Sequence, residues 1–144
     1  MDGRLLTVLV VDDEPLVRHT IEAGLKRNGY QVLQAADGDE ALSMVETSHV
    51  NLVLMDLVMP EREGLETIVE LRRRFPCVKV IALSGAFGGQ FLQVAQRLGA
   101  DAILGKPVRS DVLRRTVEAV LAASAPPPAT IDDVPFLRSK LVAE

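Results

Sequence analysis

The sequence predicts an α/β chain: a doubly wound, five-stranded parallel sheet in which each strand is followed by a helix. Three observations lead there. Five short runs rich in Val, Ile, Leu and Ala lack in–out alternation, so each suits a strand covered on both faces. Between them, apolar residues recur at three- and four-residue spacing, the period of a helix. Each run also stops at a charged or turn-forming residue, and parallel strands joined by helices need right-handed crossovers, which leaves few topologies.

The first run, Leu5-Leu6-Thr7-Val8-Leu9-Val10-Val11, stops at Asp12-Asp13-Glu14-Pro15. Pro15 suits a helix start, where its missing N–H costs nothing, and Val17, Ile21 and Leu25 lead on to the stop signal Asn28-Gly29. Tyr30 to Ala35 is the second strand, and Asp37-Gly38-Asp39-Glu40 opens a helix carrying Ala41, Leu42 and Val45. Leu52-Val53-Leu54-Met55 is the third strand and ends at Asp56. A loop with Pro60 and Gly64 leads into a helix through Leu65, Ile68, Val69 and Leu71. Arg72-Arg73-Arg74 fall in its last turn, where cations complement the helix dipole, and are expected to form a solvated basic end. Val78 to Leu83 is the fourth strand, ended by Ser84-Gly85; Gly88-Gly89 precede a helix through Phe91, Val94, Ala95 and Leu98, closed by Gly99. Ala100 to Leu104 is the fifth strand, followed by Gly105-Lys106-Pro107 and a last helix with Val112, Leu113, Val117, Val120 and Leu121.

This organisation puts one domain at residues 1–123. The stretch 124–144 reads as a Pro-rich linker, Ser124-Ala125-Pro126-Pro127-Pro128-Ala129, and a short apolar tail with Val134, Phe136, Leu137, Leu141 and Val142. That tail is too small to be a domain. A length of 144 residues with 48% hydrophobic and 25% charged residues is ordinary for a globular chain. The net charge of −4 argues against direct nucleic-acid binding, and 3% aromatics argue against a base-stacking platform. One cysteine, Cys77, excludes an internal disulfide and a multi-thiolate metal site; it reads as a strand-entry residue. No segment reaches the roughly 20 apolar residues of a membrane span, and the start lacks signal-peptide character. A cytoplasmic protein is expected.

In open parallel sheets, ligands gather beyond the carboxyl ends of the strands. The residues there are Asp12 and Asp13, Asp56, Ser84 and Lys106. Three carboxylates packed together repel, and a hard divalent cation relieves that repulsion; Mg²⁺ fits oxygen ligands, and no His or Cys joins the cluster to suit zinc or copper. A cation, a lysine and a hydroxyl beside a carboxylate describe a phosphoryl-transfer site, with Asp56 as the candidate nucleophile. Asp12 and Asp13 also suit a simpler role as helix caps before Pro15, and Asp56 and Ser84 a simpler role as turn residues. His19 and His49 lie on predicted helix or loop surface, away from the strand ends, and are not expected to act in the chemistry.

Taken together, Val10-Val11-Asp12-Asp13-Glu14-Pro15, Leu54-Met55-Asp56 with Met59-Pro60 and Gly64, Leu83-Ser84-Gly85, Gly99-Ala100 and Lys106-Pro107 resemble the receiver domain of bacterial two-component response regulators. The resemblance runs over roughly residues 5–123 and implies the (βα)5 flavodoxin-like receiver fold. It implies that Asp56 is the phosphoacceptor, with Ser84 and Lys106 engaging the phosphoryl group. Mg²⁺ would be held by Asp13 directly, Asp12 partly through water, Asp56, and the carbonyl of Val58. A histidine kinase or phosphotransfer protein would be the donor. A downstream protein target would read the state through the face of the fourth helix, fifth strand and fifth helix, which could also pair two copies as a homodimer. The protein would assist its own phosphorylation and dephosphorylation without turning over an external substrate. A cis peptide bond is implied at Lys106-Pro107. One departure is Ile103, which stands where the family often has Tyr or Phe; an aliphatic side chain cannot couple the switch through ring burial or a phenolic hydrogen bond.

Two rivals stay open at this point. An aspartate-dependent phosphohydrolase would carry its nucleophile after the first strand with a second Asp two residues on, unlike the adjacent Asp12-Asp13 and the separate Asp56. A receiver-fold interaction module working without phosphorylation is kept in play by Ile103.

Overall fold

The computed structural model describes residues 5–57, 63–85 and 90–123. The chain alternates β1 (Thr7–Val11), α1 (Pro15–Arg27), β2 (Gln31–Ala35), α2 (Gly38–Thr47), β3 (Leu52–Asp56), α3 (Glu63–Arg74), β4 (Lys79–Ser84), α4 (Gln90–Arg97), β5 (Ala102–Gly105) and α5 (Ser110–Ala122). All four strand pairings are parallel, in the order β2-β1-β3-β4-β5. The predicted doubly wound, five-stranded parallel sheet is therefore the architecture observed.

The missing alternation in the apolar runs has a direct cause. Val8, Val10, Leu52, Leu54, Ile81 and Leu83 point into one core with Leu25 of α1 and Val117 and Val120 of α5. Leu9, Val11, Val53, Met55, Val80 and Ala82 point the other way, against Ala41 and Val45, Leu65 and Ile68, and Ala95 of α2, α3 and α4. Every residue of β1, β3 and β4 is buried, as strands covered by helices on both faces must be.

Helix ends account for the later starts of β2 and β5 than the sequence suggests. Past α1, the Gly29 N–H donates to the Lys26 carbonyl and the Tyr30 N–H to the Leu25 carbonyl, a Schellman closure with Gly29 at φ 93°. Tyr30 is thus spent on the cap, and β2 begins at Gln31. Past α4 the same closure recurs, with Gly99 at φ 108° and the Ala100 N–H bonded to the Ala95 carbonyl. That moves the start of β5 from the expected Ala100 to Ala102. Asp37 caps α2 by accepting the Glu40 N–H at 2.8 Å.

One expectation is corrected. Arg73 and Arg74 are exposed, but Arg72 is buried, its side chain only 3% accessible and 3.8 Å from Asp101. Asp101 in turn accepts the Val80 N–H at 2.8 Å, so the pair ties α3 to the starts of β4 and β5. A triple-arginine run spans most of a helical turn, and the one that faces the sheet cannot be solvated. The 124–144 stretch lies outside the described residues. No helix among the described residues is long and apolar enough to cross a membrane.

Candidate functional site

The strand order reverses at β1, whose neighbours are β2 and β3, so the crevice at the carboxyl ends of β1 and β3 is the topological switch point. Asp12 follows β1 and Asp56 ends β3, side by side across that crevice. Both are buried, at 2% and 3% exposure, whereas Asp13 faces outward. Oxygens of Asp12, Asp13 and Asp56 all lie within 4.8 Å of one another.

Lys106, one residue past β5, reaches back over β4 to this group. Its ammonium stands 3.1 Å from Asp12 Oδ2 and 3.1 Å from Asp56 Oδ1. Burial by itself would push the Lys106 pKa down, but the attraction of Asp56, joined by hydrogen bonds to Asp12 and Asp56, outweighs it and holds the pKa above the usual lysine value. Three carboxylates against one ammonium leave an excess of negative charge in a partly buried cleft. All the acidic donors are oxygens, with no His or Cys in the group. That donor set fits a small hard divalent cation such as Mg²⁺ and fits zinc or copper poorly.

The backbone brings the remaining members to the same edge. Asp56 pairs with Leu83, so Ser84 extends one residue further along β4; it is buried, and its carbonyl accepts the Lys106 N–H at 3.1 Å. Ser84 is also paired with Gly105 in the β4–β5 register. The Lys106–Pro107 peptide is cis, as the resemblance implied. Gly64, at the start of α3, lies against the Asp56 carbonyl, where a Cβ would come to 3.2 Å. Of the residues singled out in the sequence, Asp12, Asp13, Asp56, Ser84 and Lys106 share one edge. Val58 lies outside the described residues.

The helix-capping role weighed for Asp12 is not the one observed: the N-cap of α1 is Glu14, without a side-chain cap bond, and Asp12 Oδ1 closes a local turn by accepting the Glu14 N–H at 2.9 Å, while Oδ2 meets Lys106. His19 is exposed and 3.9 Å from Glu22, and His49 is exposed. Ile103 is partly buried and packs against the core on the α4 side of the sheet. Two polar residues at the site escaped the sequence reading. Arg18 donates to the Asp12 carbonyl at 2.6 Å and to Gln34 at 3.0 Å. A signal for Arg18 existed: a cation in the opening turns of a helix opposes the dipole and calls for a local reason.

Residues 8–118 match the family model for the response regulator receiver domain. The probable transcriptional regulator ycf27 of Porphyridium aerugineum is 38% identical over 114 residues, covering 79% of this chain and 47% of that protein. The alkaline phosphatase synthesis transcriptional regulatory protein PhoP of Bacillus subtilis is 33% identical over 120 residues, covering 81% of this chain and 49% of that protein. The chain thus spans about half the length of these curated relatives. Among solved structures, the response regulator protein TrrA of Thermotoga maritima in complex with Mg²⁺–BeF superposes with a TM-score of 0.73 at 31% identity, over 81% of this chain and 99% of that one.

Proposed function

Because this chain belongs to the response regulator receiver family, we propose that it is a phosphorylation-driven signalling switch whose phosphoacceptor is Asp56. The observation that carries the reading is the placement of the Lys106 ammonium 3.1 Å from both Asp12 and Asp56 at the switch point, with Asp13 completing an oxygen cluster.

In this reading an Asp56 carboxylate oxygen attacks the phosphorus of a phosphohistidine on a histidine kinase or phosphotransfer protein. The P–N bond breaks as the O–P bond forms, and the imidazole leaves and takes up a proton. Asp13, Asp56 and the Val58 carbonyl would hold Mg²⁺, with Asp12 contributing through water, and the ion would supply positive charge against the carboxylate repulsion and the charge on the phosphoryl oxygens. Lys106 is already held between Asp12 and Asp56, so it can pair with a phosphoryl oxygen without a large movement. The Ser84 hydroxyl, one residue beyond the Leu83 that pairs with Asp56, would donate to another of those oxygens. Hydrolysis of the aspartyl phosphate by water returns the switch to its resting state, so the chain assists two steps on itself and turns over no external substrate.

The consequence is a change in what binds the face built from α4, β5 and α5: a downstream protein or a second copy of this chain. Ile103, on β5 and packed against the core, carries no ring to bury, so this chain would couple site and face through aliphatic packing.

Incubation with acetyl phosphate and Mg²⁺, read by intact mass, tests the assignment. The wild type is expected to gain one phosphoryl group and Asp56→Asn none. No adduct on the wild type, or an undiminished adduct on Asp56→Asn, overturns it.

A further inference from the structure

We propose that Arg18 is a positioning residue of the acidic site: it holds the backbone of Asp12 and thereby sets where the adjoining Asp13 carboxylate stands. The inference rests on the reading of Asp12 and Asp13 as cation ligands.

Four polar groups of Asp12 are engaged, each by a different part of the fold. Its N–H donates to the Ala35 carbonyl at 3.2 Å, and its Oδ1 accepts the Glu14 N–H at 2.9 Å. Its Oδ2 accepts from Lys106 at 3.1 Å, and its carbonyl accepts from Arg18 Nη1 at 2.6 Å. The first continues the β1–β2 ladder past Val11 and the second closes a local turn. The bond to the carbonyl, the shortest of the four, comes from a side chain brought in for it. That carbonyl belongs to the peptide unit joining Asp12 to Asp13, so whatever holds it orients the base of the Asp13 side chain.

Arg18 is held in turn. Its Nε–H donates to Gln34 Oε1 at 3.0 Å, and Gln34 Nε2 donates to Glu22 Oε1 at 3.0 Å. Glu22 also lies 3.5 Å from Lys26 Nζ on the same helix. A relay of side chains therefore runs from the α1 surface across β2 to the carbonyl beside the site. The guanidinium is planar, so fixing Nε on Gln34 also fixes the direction of the donor aimed at Asp12, a constraint a lysine cannot supply. Arg18 stands in the opening turns of α1, the dipole end that disfavours a cation, which argues for a specific use rather than a solvated side chain.

Two effects of Arg18 on a bound cation oppose each other. Its charge repels Mg²⁺, while its hydrogen bond orders the ligands. Removing charge alone would tighten Mg²⁺ binding; removing positioning would weaken it. Gln34→Leu separates the two, because it releases Arg18 without changing any charge.

The experiment is calorimetric Mg²⁺ titration of the full chain as wild type, Arg18→Gln, Arg18→Lys and Gln34→Leu, with amide hydrogen exchange at Asp13 and Glu14 in the metal-free proteins. Loss of an outer partner of a metal ligand typically costs about tenfold or more in affinity. Arg18→Gln is expected to weaken Mg²⁺ by about tenfold and Gln34→Leu by a few-fold, with Arg18→Lys between them, and both amides should exchange faster in the weakened variants. Unchanged or tighter binding by Arg18→Gln, or an unchanged constant for Gln34→Leu, overturns the proposal while leaving the ligand assignment standing. A wild type that binds no Mg²⁺ instead removes the ligand assignment, and the proposal with it.

Discussion

Gly64 shows how little room surrounds Asp56, the proposed phosphoacceptor. A Cβ there would stand 2.9 Å from Leu57 Cδ2 and 3.2 Å from the Asp56 carbonyl oxygen. Leu57 Cδ2 is the end of a side chain, but Leu57 is itself 2% exposed, and the Asp56 carbonyl belongs to a strand bonded on both sides. Alanine would gain about 1 kcal/mol of helix propensity, against about 1–3 kcal/mol for forcing extra volume into a packed site. Gly64→Ala is therefore expected to lose about 1 kcal/mol in urea unfolding and to slow phosphoryl uptake by displacing Asp56. An unchanged unfolding midpoint together with an unchanged uptake rate would contradict the packing argument.

Among the elements, the junction of α3 with β4 and β5 depends on a buried ion pair. Burial pushes the Arg72 pKa down more strongly than Asp101 raises it, and Arg72 Nε and Nη2 have no hydrogen-bond partner among the described residues. Desolvation thus dominates at this pair, and removing one partner should cost more than removing both. Asp101→Asn is expected to lose about 3 kcal/mol, and the double variant Arg72→Met/Asp101→Asn to recover most of it. Additive losses in denaturant titrations would contradict the pairing. Tyr30, in the cap between α1 and β2, offers a second element-level probe because the chain has one tyrosine and no tryptophan. Burial first, and Glu118 second, raise its phenol pKa above 10.0. The folded midpoint followed by ultraviolet absorbance should exceed that of the denatured chain, and Glu118→Gln should bring it down. A folded pKa above the unfolded one means this contribution is whole below about pH 10 and is lost as the pH rises through the folded midpoint.

At the scale of the whole molecule, two cores on opposite faces of one sheet hold three carboxylates and one ammonium at its carboxyl edge. If these acids are the cation ligands proposed above, a bound cation relieves their mutual repulsion and stabilises the fold. Mg²⁺ at a hundred times its dissociation constant should add about 2.7 kcal/mol of stability. Asp13→Asn should raise the melting temperature of the metal-free protein, because it removes one of the repelling charges, and should abolish the Mg²⁺-dependent rise. Retention of that rise in Asp13→Asn would exclude Asp13 as a ligand. The sequence by itself determined the alternation of strands and helices and the carboxyl-edge residues, because two-sided burial and strand-end placement leave local, periodic traces. It also marked Asp12, Asp13, Asp56, Ser84 and Lys106, since each directly ends or follows an apolar run. Only the tertiary structure decided that Arg72 is buried on Asp101, that Gly64 abuts Asp56, and that Arg18, held by Gln34, reaches the Asp12 carbonyl. Those contacts join residues on different elements, and their partners are chosen by how helices pack over the sheet, which no local spacing encodes.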